Sequence, residues 1–111
     1  MNFPDLINRL PEFHGRFSAR QLDANNCTIY FASYPAGTAV EAHHHDTENV
    51  GCITQGTLIL IRNGQEEYYG IGEWYHLNPG ELHAARFDET TSEIEFWFEP
   101  GSLPEQGGQR G

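Results

Sequence analysis

The sequence predicts an all-β domain, a sandwich or barrel of short antiparallel strands. Two observations carry that expectation. Turn signals recur roughly every 8 to 10 residues, the spacing of a sandwich or barrel. They are Pro35-Ala36-Gly37, Gln55-Gly56, Asn63-Gly64, Gly70-Ile71-Gly72 and Pro79-Gly80. Between them lie short runs rich in Thr, Ile, Val, Tyr and Phe, which suit a pleated, half-buried surface.

The elements follow in order. Pro4 at a helix start, then Leu6, Ile7 and Leu10, predicts a helix of about two turns over 4–10. Residues 11–15 read as a loop carrying His14 on the surface. Strands are expected near 16–23, 26–34, 38–44, 49–54, 57–62, 65–69, 73–77, 82–87 and 92–98. Asn63 and Gly64 both tolerate positive φ, so a type I′ hairpin should join Leu58–Arg62 to Gln65–Tyr69. In 92–98, Ile94, Phe96 and Phe98 share one face, and Glu93, Glu95, Trp97 and Glu99 the other. The apolar face is expected inside the barrel and Trp97 outside it. From Pro100 the chain is rich in Gly, Pro and Gln, so 100–111 is expected to be a flexible tail. The organisation expected is an N-terminal segment 1–15, a barrel domain 16–99 and the tail.

Composition narrows the function. The chain has 111 residues, enough for one core. Six Arg, no Lys and 16 Asp+Glu give a net charge of −10. With no basic patch, nucleic acid and anionic membrane surfaces are not expected partners. No apolar run is long enough to span a bilayer. The first residues, Met1-Asn2-Phe3-Pro4-Asp5, lack a basic and an apolar region. A cytoplasmic protein is expected, with Cys27 and Cys52 as reduced, packed thiols.

The chemistry concentrates in histidines. His43-His44-His45 ends an expected strand, and His83 follows Pro79-Gly80. Alternation lets His43 and His45 share a face, with His44 turned away. His83 is the candidate third ligand from a distant strand. Imidazoles suit a divalent transition metal such as Fe, Zn or Ni.

The spacing around these histidines resembles the cupins. Gly37, five residues, His43-His44-His45 and then Gly56 is similar to that family's first motif. Gly72, five residues, Asn78-Pro79-Gly80, two residues and His83 is similar to its second. Together the motifs and flanking strands cover most of 16–98. The resemblance implies a jelly-roll barrel, a metal on His43, His45 and His83 (Fe, Zn, Ni or Mn), and a small-molecule ligand.

Departures from the pattern matter. Counting back from Gly56 puts the family's glutamate ligand at position 49, which is Asn49, with Glu48 one step earlier. Asn49 is the candidate weak fourth ligand or hydrogen-bond donor beside the metal; Glu48 reaches the site only if the turn shifts by one residue. Phe87 stands at the family's usual asparagine. Three neutral imidazoles would leave the full charge on the metal, making bound water more acidic.

His76 is the candidate catalytic base. If it points inward it stands near the metal with a pKa suited to proton transfer; if outward it is a surface residue beside Trp74. Arg86 should face opposite to His83 and pair with carboxylates outside the barrel. Glu66-Glu67 and Asp88-Glu89 read as solvated charges at strand edges. Two function classes follow. One is a metal-dependent enzyme, of dioxygenase, isomerase or lyase type, acting on a small oxygen-bearing molecule. The other is a non-catalytic sugar-like binding or sensing module. A homodimer is expected, anchored by Trp97, with Phe3, Leu6, Ile7 and Leu10 covering a neighbouring barrel.

Overall fold

The computed structural model describes residues 3–15 and 17–101. Among them, ten strands form two antiparallel sheets: β1 (Glu12–His14), β2 (Ser18–Asp23), β3 (Cys27–Tyr34), β4 (Thr38–His43), β5 (Glu48–Gln55), β6 (Leu58–Arg62), β7 (Gln65–Tyr69), β8 (Trp74–Leu77), β9 (His83–Phe87) and β10 (Thr91–Phe98). One sheet has the order β1-β2-β3-β10-β5-β8 and the other β4-β9-β6-β7. Inward side chains of both meet in one core, with Tyr30, Ala32, Tyr34, Ile53 and Leu77 from the larger sheet against Leu58, Leu60 and Phe87 from the smaller. This is the expected all-β jelly roll. No helix among the described residues is long and apolar enough to cross a membrane.

The Asn63–Gly64 hairpin forms as expected. Both residues have positive φ, 53° and 73°, which matches the turn to the twist of β6 and β7. Arg86 also stands outside, paired with Glu66 and Asp88.

Three expectations are corrected. The N-terminal helix is a single 3-10 turn, Ile7–Arg9, whose Ile7 amide donates to Pro4 O at 3.0 Å. Leu10 precedes Pro11, which disfavours helical backbone there, and Leu10 is extended with ψ 158°. The loop at 11–15 contains β1, which pairs His14 with Ser18 and carries Phe13 to an edge contact with Tyr30. Phe3, expected at a contact with a neighbouring barrel, is buried on its own chain, 5.6 Å from the Phe31 ring.

The third correction is to β10. Glu93, Glu95 and Trp97 face the interior, and Ile94, Phe96 and Phe98 lie on the outer face of the sheet. Glu93 is 2% exposed and Glu95 5%. Alternation separates two faces without saying which is inner. Here Tyr75 and Tyr34 donate hydrogen bonds to the two carboxyls, so their burial is compensated. Outside, Ile94 and Phe96 lie beside Phe31 and Ile29 of β3 and beside Cys52 and Val50 of β5. Trp97 is therefore not the exposed anchor expected; it packs against the core. The expected tail falls almost entirely outside the described residues.

Candidate metal centre

His43, His45 and His83 come together. Their candidate ligand atoms all lie within 4.8 Å of one another, so the three can hold one metal ion. His44 is exposed and turned away.

The convergence depends on a bulge. Val40 pairs with Ala85, but the next pair is His43 with His83, so β4 spends three residues where β9 spends two. The extra residue turns His43 toward the interior, opposite His83. His45 lies beyond the end of β4, in the loop before β5. Its carbonyl accepts from Gly80 N at 2.7 Å, which ties this loop to the turn that delivers His83.

The imidazoles are oriented from behind. His43 Nδ1 is 2.8 Å from Glu41 O and His83 Nδ1 is 2.9 Å from Glu81 O. A carbonyl only accepts, so each Nδ1 carries the proton and each Nε2 keeps its lone pair for a metal. Glu81 is itself pinned: its carboxylate accepts from Asn78 N at 3.0 Å and from Arg62 Nη1 at 3.2 Å. Burial holds the His83 pKa below the usual histidine value, against the opposing pull of the Glu81 carbonyl. The neutral ring is the metal-binding form. The donor set thus fits a borderline transition metal.

Asn49 is buried and lines the same cavity, its Oδ1 accepting from the Thr47 hydroxyl at 2.7 Å. Glu48 points to the other face, where His76 Nε2 meets its Oε2 at 2.6 Å. His76 is correspondingly exposed. Tyr75 and Leu77, its neighbours on β8, are the ones that line the cavity. The inward alternative for His76 is overturned, and with it a role as general base beside the histidines.

The residues that sequence reasoning placed outside form the other end of the site. The cavity, about 530 Å³, is lined by the histidines and Asn49 and also by Glu93, Glu95, Tyr34 and Trp97. Tyr34 OH donates to Glu95 at 2.6 Å and Trp97 Nε1 donates to its other oxygen at 2.9 Å. The Trp97 ring also lies 4.5 Å from the His45 ring, so one indole touches both ends of the site. Burial pushes the Glu93 carboxyl well up and Glu95 up. The neighbouring Glu95 charge raises Glu93 further, while the Tyr75 bond opposes this. A signal for this arrangement did exist: Gly51 pairs with both Glu95 and Tyr75. A glycine at that point in a strand marks a close approach.

The approach is by Tyr75. A Cβ at Gly51 would fall inside contact distance of the Tyr75 ring and hydroxyl. Gly51→Ala is expected to displace that ring from Glu93 and cost about 1–3 kcal/mol, the range for overpacking. A urea midpoint equal to the parent's would contradict this.

The carboxyl pair also predicts a pH dependence. Folded carboxyls with raised pKa values hold protons that the unfolded chain releases. Their contribution is fully present below the ordinary carboxylate range and is lost as pH rises through the folded values. Glu93→Gln keeps an acceptor for Tyr75 and removes this penalty. In chelator-treated protein, the variant should melt a few degrees above the parent at pH 8, the gain shrinking toward zero near pH 4. A difference independent of pH would refute the assignment.

Comparison with known proteins agrees with this architecture. The family model described as "Cupin domain" matches residues 30–98. A cupin-2 domain containing protein from Shewanella frigidimarina superposes with TM-score 0.71 at 22% identity, over 89% of this chain and 94% of that one. KdgF from Halomonas sp. gives 0.70 at 12%, over 85% and 91%. An RmlC-like cupin from Shewanella frigidimarina gives 0.72 at 14%, over 88% of each chain. No curated protein matches the sequence.

Proposed function

Since this chain belongs to the cupin family, we propose that it is a small metal-dependent enzyme of dioxygenase, isomerase or lyase type, acting on a small oxygen-bearing organic molecule. The observation that carries the reading is the convergence of His43, His45 and His83 on the wall of a cavity large enough for such a molecule. A divalent transition metal, once bound, would polarise a substrate oxygen and leave positions open for it. The chain's own residues do the rest. The carbonyls of Glu41 and Glu81 hold two imidazoles in the ligating tautomer. Asn49 offers a weak fourth oxygen or a hydrogen bond beside the metal. Tyr34 and Phe87, stacked at 4.3 Å, exclude water from one wall. Both cysteines are free, which fits a reducing compartment such as the cytoplasm.

Metal analysis of protein purified without added metal tests the reading. One redox-active or Lewis-acidic metal per chain supports the enzyme. A substoichiometric mixture of metals favours the non-catalytic binding module instead.

The homodimer is proposed on a different face from the one expected. The outer face of the larger sheet carries Ile29, Phe31, Val50, Ile94, Phe96 and Phe98, all half-buried. These six are uncharged, and the carboxylate at their edge, Glu48, is bonded to His76, so the centre of a contact between two copies there is apolar. Sedimentation should show Phe96→Glu as a monomer, with Trp97→Ala still associating. A Phe96→Glu dimer, or a monomeric parent, would overturn the assignment.

A further inference from the structure

The metal reading accounts for one end of the cavity and leaves the other unused. At that other end Tyr75 donates to Glu93 Oε1, while Tyr34 and Trp97 donate to the two oxygens of Glu95. These donors fix where the carboxyl groups point and leave Glu93 Oε2 outside the network. The described lining residues include neither Arg nor Lys. Arg20, Arg62 and Arg86 are committed to ion pairs with Glu12, with Glu67 and Glu81, and with Glu66 and Asp88.

We infer that Glu93 and Glu95 form the specificity end of the pocket, taking a hydroxyl of a small uncharged ligand whose opposite end reaches the three histidines, and turning away ligands that end there in a carboxylate or phosphate. The inference rests on the metal reading for the ligand's other end. A hydroxyl both donates and accepts, so it can bond to either protonation state of a carboxyl. An anion has only acceptors, and placing it against two buried carboxyls leaves charge without a counter-ion. Trp97 sets the scale. It touches His45 with its ring and Glu95 with its Nε1, so a ligand about one aromatic ring long spans both ends. The stacked Tyr34 and Phe87 rings give it a flat apolar wall.

A matched pair of probes tests this. The compounds 3,4-dihydroxybenzyl alcohol and 3,4-dihydroxybenzoate share one chelating end and differ at the other. Each is titrated without oxygen into protein saturated with Co(II), and the change in the cobalt visible spectrum is read. His83→Ala serves as the control for chelation outside the site. The parent should bind the alcohol about tenfold or more tightly than the benzoate, comparable to one charge-assisted hydrogen bond. Glu93→Gln and Glu95→Gln should each bring the ratio toward one. Equal binding, preference for the benzoate, or a ratio unchanged in both variants overturns the inference while leaving the metal reading intact. If Co(II) itself fails to bind the parent, the metal reading falls and this inference with it.

Discussion

His83→Ala is expected to abolish stoichiometric metal binding, with Zn(II) affinity falling by more than about 100-fold. Loss of a group that only supports a ligand costs about 10–100-fold, and His83 is proposed as a ligand itself. Its role cannot pass to a neighbour. His44 is exposed, and His76 is held by Glu48 on the outer face. His83 is also the ring opposite the β4 bulge, buried to 5% exposure and aligned by the Glu81 carbonyl. His44→Ala, by contrast, should leave Zn(II) affinity at the parental value. Competition with a chromophoric chelator measures both. Equal losses in the two variants would mean that the histidines act as an unstructured run.

Phe87→Ala carries the largest expected cost in stability, about 3–5 kcal/mol. Phe87 is 2% exposed and lies parallel to the Tyr34 ring, 4.3 Å away with 6° between planes. It fills the space between the sheets at the end of β9, and its carbonyl accepts from Gly37 N at 2.8 Å. A domain of this size has total stability of about 5–15 kcal/mol, so the variant should be near the margin of folding. Phe87→Leu keeps more of the volume and should cost markedly less. Urea titration decides it through the midpoint at unchanged slope. A midpoint within experimental error of the parent would show that the inter-sheet core does not depend on this ring.

Much of the strand layout is legible in the sequence because turns have local causes. Asn63-Gly64 tolerates positive φ, and the β6–β7 hairpin follows from that alone. The histidine set is legible for a similar reason, since spacing between glycines and histidines survives without knowledge of packing. What resists reading is non-local. The direction of β10 depends on which side holds hydrogen-bond donors, and the donors, Tyr34 and Tyr75, come from β3 and β8. The apolar alternation of Ile94, Phe96 and Phe98 therefore points to the wrong face of β10, and Trp97 lies inward with Glu93 and Glu95. The His76 orientation is open for the same reason: alternation gives two faces, and pairing with β5 places His76 beside Val50 on the outer one. Strand alternation alone does not bring His43 and His45 together. His43 turns inward through the bulge, and His45 is not on the strand at all.

X-ray absorption at the zinc edge of the Zn(II)-loaded protein tests the metal centre most directly. The account predicts a first shell with three imidazole nitrogens at about 2.0–2.1 Å, completed by oxygen, and one zinc per chain. The imidazole count should be retained in His44→Ala and His76→Ala and should fall in His83→Ala. A parental first shell of oxygens alone, or an imidazole count that drops with His44 or His76, would contradict it.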